Sequence, residues 1–303
     1  MIIDEFKLVP EIRIIDVYIG KDNSSKSSLV LIFNSPTDLN ISSAKISSRI
    51  VHKSDDYRLF ITLEDNDVIS EEIFEVFIRD IISHIKLANS EQEIGAIVSK
   101  RFIYWTELFK KAQTLNLNEN WIKGFWGELY FLNNILIGKV GIVNAIKSWV
   151  GPIKANQDFI LNNNIFEIKT KIQSTDIIKI SNDNQLSRNM YLTVLTVSKS
   201  SEIDDDSENL SSLIKDIKLK INNIESLIEF DKKLMSLGLY PSENADLYNA
   251  FSYNFKKLDY YLITSAFPLI DHKNVPTAIP RYSYELLLEE IREFREEQDD
   301  IWN

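Results

Sequence analysis

A mixed α/β fold is predicted for this chain by three observations. Residues 10–64 alternate apolar and polar positions in short runs, "IRIIDVYI", "SLVLIFN" and "YRLFITLE", parted by turn-rich "GKDNSSKS" and "NSPTDLN". That is the pattern of an antiparallel β region. "SEEIFEVFIRDIISHI" and "NENWIKGFWGELYFLNNIL" place apolar residues at helical spacing behind Ser70 and Asn118, both good N-caps. Strand-like runs then return after Gln157, so sheet and helix share a core.

Taken in order, residues 1–90 form a β-rich region closed by the helix from Ser70. A second helical stretch runs from about Ser90 to Thr114 and opens a core over residues 91–200. The helix from Asn118 to Leu136 contains Gly124 and Gly127, each costing about 1 kcal/mol relative to Ala. Their spacing puts both on one side, where missing side chains allow close approach to a neighbouring element. Glu128 projects from the same largely apolar helix. It is either a surface residue or a carboxylate compensated by a metal ion or a basic side chain, because a lone buried carboxylate is costly. "DFIL", "IFEIK", "TDIIKIS" and "MYLTVLTV" read as strands of a three- or four-stranded mixed sheet. Residues 201–303 form a helical and strand extension: the exposed linker "EIDDDSEN", one or two helices over Leu210–Leu237, further strands, and a terminal acidic helix, "LLLEEIREFREEQDDIW".

Composition narrows the function. The chain has no cysteine, which excludes disulfides and thiolate zinc sites. His52, His84 and His272 show no metal spacing, and no phosphate-cradling glycine loop occurs, which argues against nucleotide hydrolysis. The N-terminus lacks a basic region followed by an apolar run, and no stretch approaches ~18 uninterrupted apolar residues. A soluble cytoplasmic protein with no membrane partner is expected. Net charge is −11, yet Lys139 to Lys199 holds eight basic against four acidic residues. The charge is sorted, either by chance or as the footprint of a polyanion.

The chemistry concentrates in "QDFILNNNIFEIKTK", Gln157–Lys171. With a two-residue turn at Asn162-Asn163, Asp158 stands opposite Glu167, and Lys169 follows on the same face. Phe159, Leu161, Phe166 and Ile168 take the opposite, packed face. Two opposed carboxylates repel each other, so something positive must lie between them. Lys169 supplies part, and a hard cation such as Mg²⁺ (or Mn²⁺), which favours one or two carboxylates plus substrate oxygens, supplies the rest. Such a site also holds a phosphate. Lys171 continues the Lys169 face as a phosphate contact; Lys154 and Arg188 are further candidates, and Gln185 either orients the site or a phosphate or is a turn residue.

An Asp, a short hairpin and Glu-X-Lys, preceded by a Gly-Glu helix, resemble the PD-(D/E)XK nuclease superfamily. "GFWGELYFL", Trp149, Asp158-Phe159, "EIKT" and Gln185-Leu186 are similar to an uncharacterised bacterial family of PD-(D/E)XK motif proteins. The resemblance implies a restriction-endonuclease-like core and a Mg²⁺-dependent DNA endonuclease of restriction or anti-phage defence systems. Catalytic residues would be Asp158, Glu167, Lys169 and Glu128; the metal would be held by Asp158, Glu167, the Ile168 carbonyl and Glu128. Implied partners are DNA, a second copy of the chain to cut both strands, and a methyltransferase or ATPase. Gln157 stands where the signature has Pro. The competing reading is a nuclease fold that is catalytically idle and serves as a nucleic-acid-binding or assembly subunit.

Overall fold

Five short strands from the first 63 residues form the first sheet: β1 (Phe6–Leu8), β2 (Asp16–Lys21), β3 (Ser27–Phe33), β4 (Ile46–Lys53) and β5 (Asp56–Leu63), all antiparallel, in the order β1-β2-β3-β5-β4. The computed structural model describes every residue except 1–5, 23, 38, 40, 44, 54, 66–67, 112–117, 154, 163, 183, 201–206, 240–250, 271–274, 277, 280 and 303. Most of the "EIDDDSEN" linker, together with Lys154 and His272, lies outside the described residues.

Two helices cover this sheet, α1 (Val68–Ile85) and α2 (Glu91–Lys111). Leu29, Leu31, Leu59 and Ile61 bury against Phe74, Phe77, Ile81, Val98 and Trp105, each large side chain contributing about 1.5–3 kcal/mol. The chain divides into two compact units, residues 1–114 with 230–242, and residues 115–229 with 243–303. The first boundary thus falls after Thr114 rather than near residue 90, because α2 packs into the core built by α1.

Within the first unit Asp80 is completely buried, accepting from Arg101 Nε and Trp105 Nε1, each at 2.7 Å, and from Lys232 Nζ. Burial alone would raise its pKa, but Lys232, Trp105 and Arg101 outweigh it and hold the carboxyl below the ordinary range. Asp80→Ala would remove the buried acceptor shared by Arg101, Trp105 and Lys232 and is expected to lower stability by roughly 3 kcal/mol, measured by urea unfolding. The depressed pKa makes this contribution present above the unfolded value near 3.8 and lost as pH falls through the folded one.

In the second unit Asn118 caps α3 (Glu119–Tyr130), its side chain accepting from Trp121 N at 3.0 Å. The helix continues past Leu136 through a π turn (Phe131–Leu136) into α4 (Ile137–Ser148). The run is long and apolar enough to cross a membrane by length and composition, but Phe125, Trp126, Leu129, Phe131 and Leu132 are core residues.

The second sheet has five strands, in the order β12-β10-β9-β7-β6. They are β6 (Phe159–Leu161), β7 (Asn164–Ile172), β9 (Tyr191–Ser200), β10 (Ser252–Leu262) and β12 (Arg295–Glu296). The β7/β9 pair is parallel and the others antiparallel, so the sheet is mixed as expected. It is wider than three or four strands because β10 and β12, from the last third of the chain, join it. One face carries Phe159, Phe166 and Tyr260, against which the Phe131 ring packs at 5.3, 5.4 and 6.4 Å. The other face carries Leu192 and Val194 beneath a two-stranded ribbon of β8 (Ile177–Ile180) and β11 (Tyr284–Leu287).

Helices α5 (Leu210–Lys220) and α6 (Ile224–Ser236) divide the stretch expected as one or two helices. The expected acidic C-terminal helix is instead β11, a 3₁₀ segment (Leu288–Phe294), β12 and a short α7 (Gln298–Trp302). The segment bends at Ile291 (φ −114°, ψ 15°) into two short turns, which bring Leu288 and Ile291, with the partly buried Phe294, into the apolar cluster beneath the ribbon.

Only one of the two helix glycines meets a close neighbour. A Cβ on Gly127 would lie 1.8 Å from Thr170 Oγ1 and 3.2 Å from Thr170 Cβ, whereas one on Gly124 would meet nothing within 4 Å. Gly127→Ala is therefore expected to destabilise by about 1–3 kcal/mol through overpacking. Gly124→Ala should stabilise by up to about 1 kcal/mol through helix propensity. Thermal melts of the two variants should move in opposite directions.

Candidate active site

The hairpin adopts the register its sequence specifies. Phe159 pairs with Phe166 and Leu161 with Asn164, which sets Asp158, one residue before β6, opposite Glu167. Asn162 has φ +50°, a left-handed angle that Asn tolerates better than most residues. Glu167 and Lys169 lie beside Leu192 and Val194 of β9 and so share the ribbon-covered face. This is why the charged side of the hairpin is not a solvent face: Glu167 is only 2 % exposed.

Each functional group has a definite partner. Asp158 Oδ2 accepts the Ile168 N–H at 2.7 Å. Lys169 Nζ donates to Glu167 Oε1 at 2.8 Å and to Gln185 Oε1 at 3.1 Å. Gln185 Oε1 also accepts the Ser181 N–H at 2.8 Å, so the amide is pinned by the loop after β8 and in turn pins the lysine. Glu128, from α3, accepts the Trp149 indole N–H at 2.9 Å. A Cβ on Gly151 would sit 3.1 Å from Asp158 Oδ1 and 3.3 Å from Glu128 Oε2, which brings the helix carboxylate and the hairpin carboxylate to one small opening.

Three carboxyls facing one ammonium are electrostatically strained. Burial, then Asp158 and Glu167, push the Glu128 carboxyl well above the ordinary range despite the Trp149 bond. Burial raises Asp158 to about 6, against the opposing pull of the Ile168 N–H and Lys169. Burial and Asp158 raise Glu167 to about 8, against Lys169. Burial and like charges shift carboxyl groups upward in this way where active sites are built.

A divalent cation fits this donor set. Glu167 Oε2 is buried without a hydrogen-bond partner, the negative groups outnumber the positive ones, and Gly151 leaves open the space beside two carboxylate oxygens. Among the described residues no three carboxylate or imidazole groups converge on one point as a ready-made metal cage. The expected set of Asp158, Glu167, Glu128 and the Ile168 carbonyl is thus not a preformed cage, and an ion held there would need water and substrate oxygens to complete its shell.

The remaining candidates separate. Lys171 is 9 % exposed and its ammonium is committed to the Thr175 carbonyl at 2.6 Å and Asp176 at 3.3 Å. That holds it within the β7–β8 connection and leaves it unsuited, as placed, to the expected phosphate contact. Arg188 is exposed in the β8–β9 connection. Gln185 contacts Lys169 directly, a sharper role than the turn residue or general orienter its sequence position suggested. Neither the Trp149 bond nor the Gly151 opening is announced by the sequence, whose one signal is a tryptophan in an apolar context, whose N–H needs a partner once buried.

No curated protein matches the chain, and no solved structure matches it. A family model described as "Putative PD-(D/E)XK family member, (DUF4420)" matches residues 4–289. The match includes every site residue above and nearly the whole chain, and this protein therefore belongs to that PD-(D/E)XK family.

Proposed function

We propose that the protein is a divalent-metal-dependent endonuclease that hydrolyses phosphodiester bonds in DNA, acting in restriction or anti-phage defence. The observation that carries this reading is the grouping of buried Glu167 with the partly buried Asp158 and Glu128 around a single ammonium, Lys169, where a helix meets a hairpin of fixed register. PD-(D/E)XK proteins are usually nucleases that use divalent metals, and the locally basic stretch from Lys139 to Lys199 suits a polyanion.

Asp158 and Glu167, with Glu128, would hold Mg²⁺ or Mn²⁺. When bound, such an ion polarises a phosphoryl oxygen and lowers the pKa of its water. The chain's own groups prepare the rest. The Ile168 N–H fixes one Asp158 oxygen and leaves the other facing the Gly151 opening. Lys169, steadied by Glu167 and Gln185, offers its remaining N–H to the attacking water or to charge developing on phosphate. The hairpin and the ribbon around Glu167 exclude bulk solvent, which strengthens each of these interactions.

One observation favours the idle-subunit reading: the carboxylates do not converge as a ready-made cage. Incubation of the purified chain with supercoiled and linear DNA plus Mg²⁺ or Mn²⁺ separates the two. Nicked or linearised product that vanishes on chelation supports the nuclease. DNA retention without cleavage, together with no metal uptake by calorimetry, supports the idle subunit.

A further inference from the structure

We infer that Trp149 is a positioning residue that holds Glu128 as the third arm of the metal site through its indole N–H, an inference that rests on the metal-dependent reading above. Asp158 and Glu167 share one hairpin, so pairing fixes their separation. Glu128 comes from a helix, and nothing in that hairpin fixes where its carboxylate lies. A glutamate has three rotatable bonds, and repulsion from Asp158 and Glu167 would turn a free one away.

The segment after α4 opposes that repulsion. Trp149 is fully buried, and its ring lies 5.8 Å from Phe125, one helical turn before Glu128. Its backbone bridges to Phe159, and the next two N–H groups, of Val150 and Gly151, both donate to the Asp158 carbonyl at 2.8 and 3.1 Å. The same three residues therefore grip the start of β6 and, at 2.9 Å through the indole, the carboxylate of α3. The indole N–H donates and never accepts, so its partner must be an oxygen such as that of Glu128. Gly151 completes the device by leaving empty the space where a Cβ would crowd Asp158 Oδ1 and Glu128 Oε2. Trp149 thus sets the distance between the helix carboxylate and the hairpin carboxylates without touching substrate.

The test is Mn²⁺ binding by calorimetry to the full chain as wild type, Trp149→Phe, Glu128→Gln and the double variant. Phenylalanine keeps the packing ring and removes the N–H. Trp149→Phe is expected to weaken Mn²⁺ binding roughly ten- to hundredfold. The double variant should bind no more weakly than Glu128→Gln, because Trp149 acts through Glu128. Wild-type affinity in Trp149→Phe, or losses that multiply in the double variant, would overturn the inference. Absence of Mn²⁺ uptake by the wild type would overturn the metal reading and the inference with it, a distinguishable result. A second readout does not require that Trp149→Phe fold. One tryptophan indole N–H resonance of the wild type should shift on Mg²⁺ addition and stay unmoved in Glu128→Gln. If no indole resonance responds in a wild type that takes up Mg²⁺, the inference is overturned.

Discussion

Asp158→Asn and Lys169→Ala are each expected to lower Mg²⁺-dependent DNA cleavage by roughly a hundredfold or more, the usual cost of removing a preorganised group that stabilises developing charge. Asparagine is chosen at 158 because the Ile168 N–H bonds that side chain at 2.7 Å. An alanine would leave the donor unsatisfied, at about 1–3 kcal/mol, and confuse loss of chemistry with loss of structure. The amide oxygen keeps the bond and removes the charge. At position 169, alanine takes the ammonium from Glu167, whose carboxyl is already raised to about 8. That carboxyl accepts a proton instead of standing as an unpaired anion, so the fold tolerates the change. Circular dichroism and thermal melting should match the wild type, and plasmid nicking should not. Wild-type nicking rates in either variant would contradict the assigned roles.

The metal-free protein is expected to lose stability as pH rises from about 5 to about 8.5, and saturating Mg²⁺ is expected to remove much of that loss. The sign follows from the direction of the shifts. Asp158 moves from 3.8 to about 6 and Glu167 from 4.5 to about 8, so each binds its proton more tightly folded than unfolded. Their contribution is fully present below the unfolded values and is lost as pH climbs through the folded ones. For Glu167 alone the change corresponds to at most ~5 kcal/mol. Acids that anchor the fold behave oppositely: Asp80, held below its usual range by Lys232, Trp105 and Arg101, loses its contribution in acid. Denaturant unfolding at pH 5.5, 7 and 8.5, with and without Mg²⁺, separates the two classes, and Glu167→Gln should flatten the alkaline slope without metal. An alkaline slope unchanged by both Mg²⁺ and Glu167→Gln would contradict the placement of this strain in the site.

Local features were the legible ones. The hairpin register follows from an asparagine turn and a period-2 pattern, and the observed pairing of Phe159 with Phe166 is the pairing those residues specify. The Asn118 cap is equally local. Long-range assembly was not legible: nothing within β10 or β12 announces that residues beyond 250 extend the sheet begun at Phe159. The tail "LLLEEIREF" has helix-forming composition, yet Leu286 lies in a strand, the chain bends at Ile291, and burial of Leu286, Leu288 and Ile291 in one apolar cluster overrides helix propensity. Lys171 alternates correctly with Lys169, but Thr175 and Asp176 close in sequence capture its ammonium. Gly124 and Gly127 look equivalent in sequence, and only the position of Thr170 distinguishes them.

The cation site proposed at Glu128, Asp158 and Glu167 is distinguished from a strained charge network by crystals soaked in Mn²⁺ and measured at the manganese edge. An anomalous peak within coordination distance of Asp158 and Glu167, lost in the Asp158→Asn variant, is expected. A wild-type map with no peak there, at Mn²⁺ concentrations that support plasmid nicking, would contradict it.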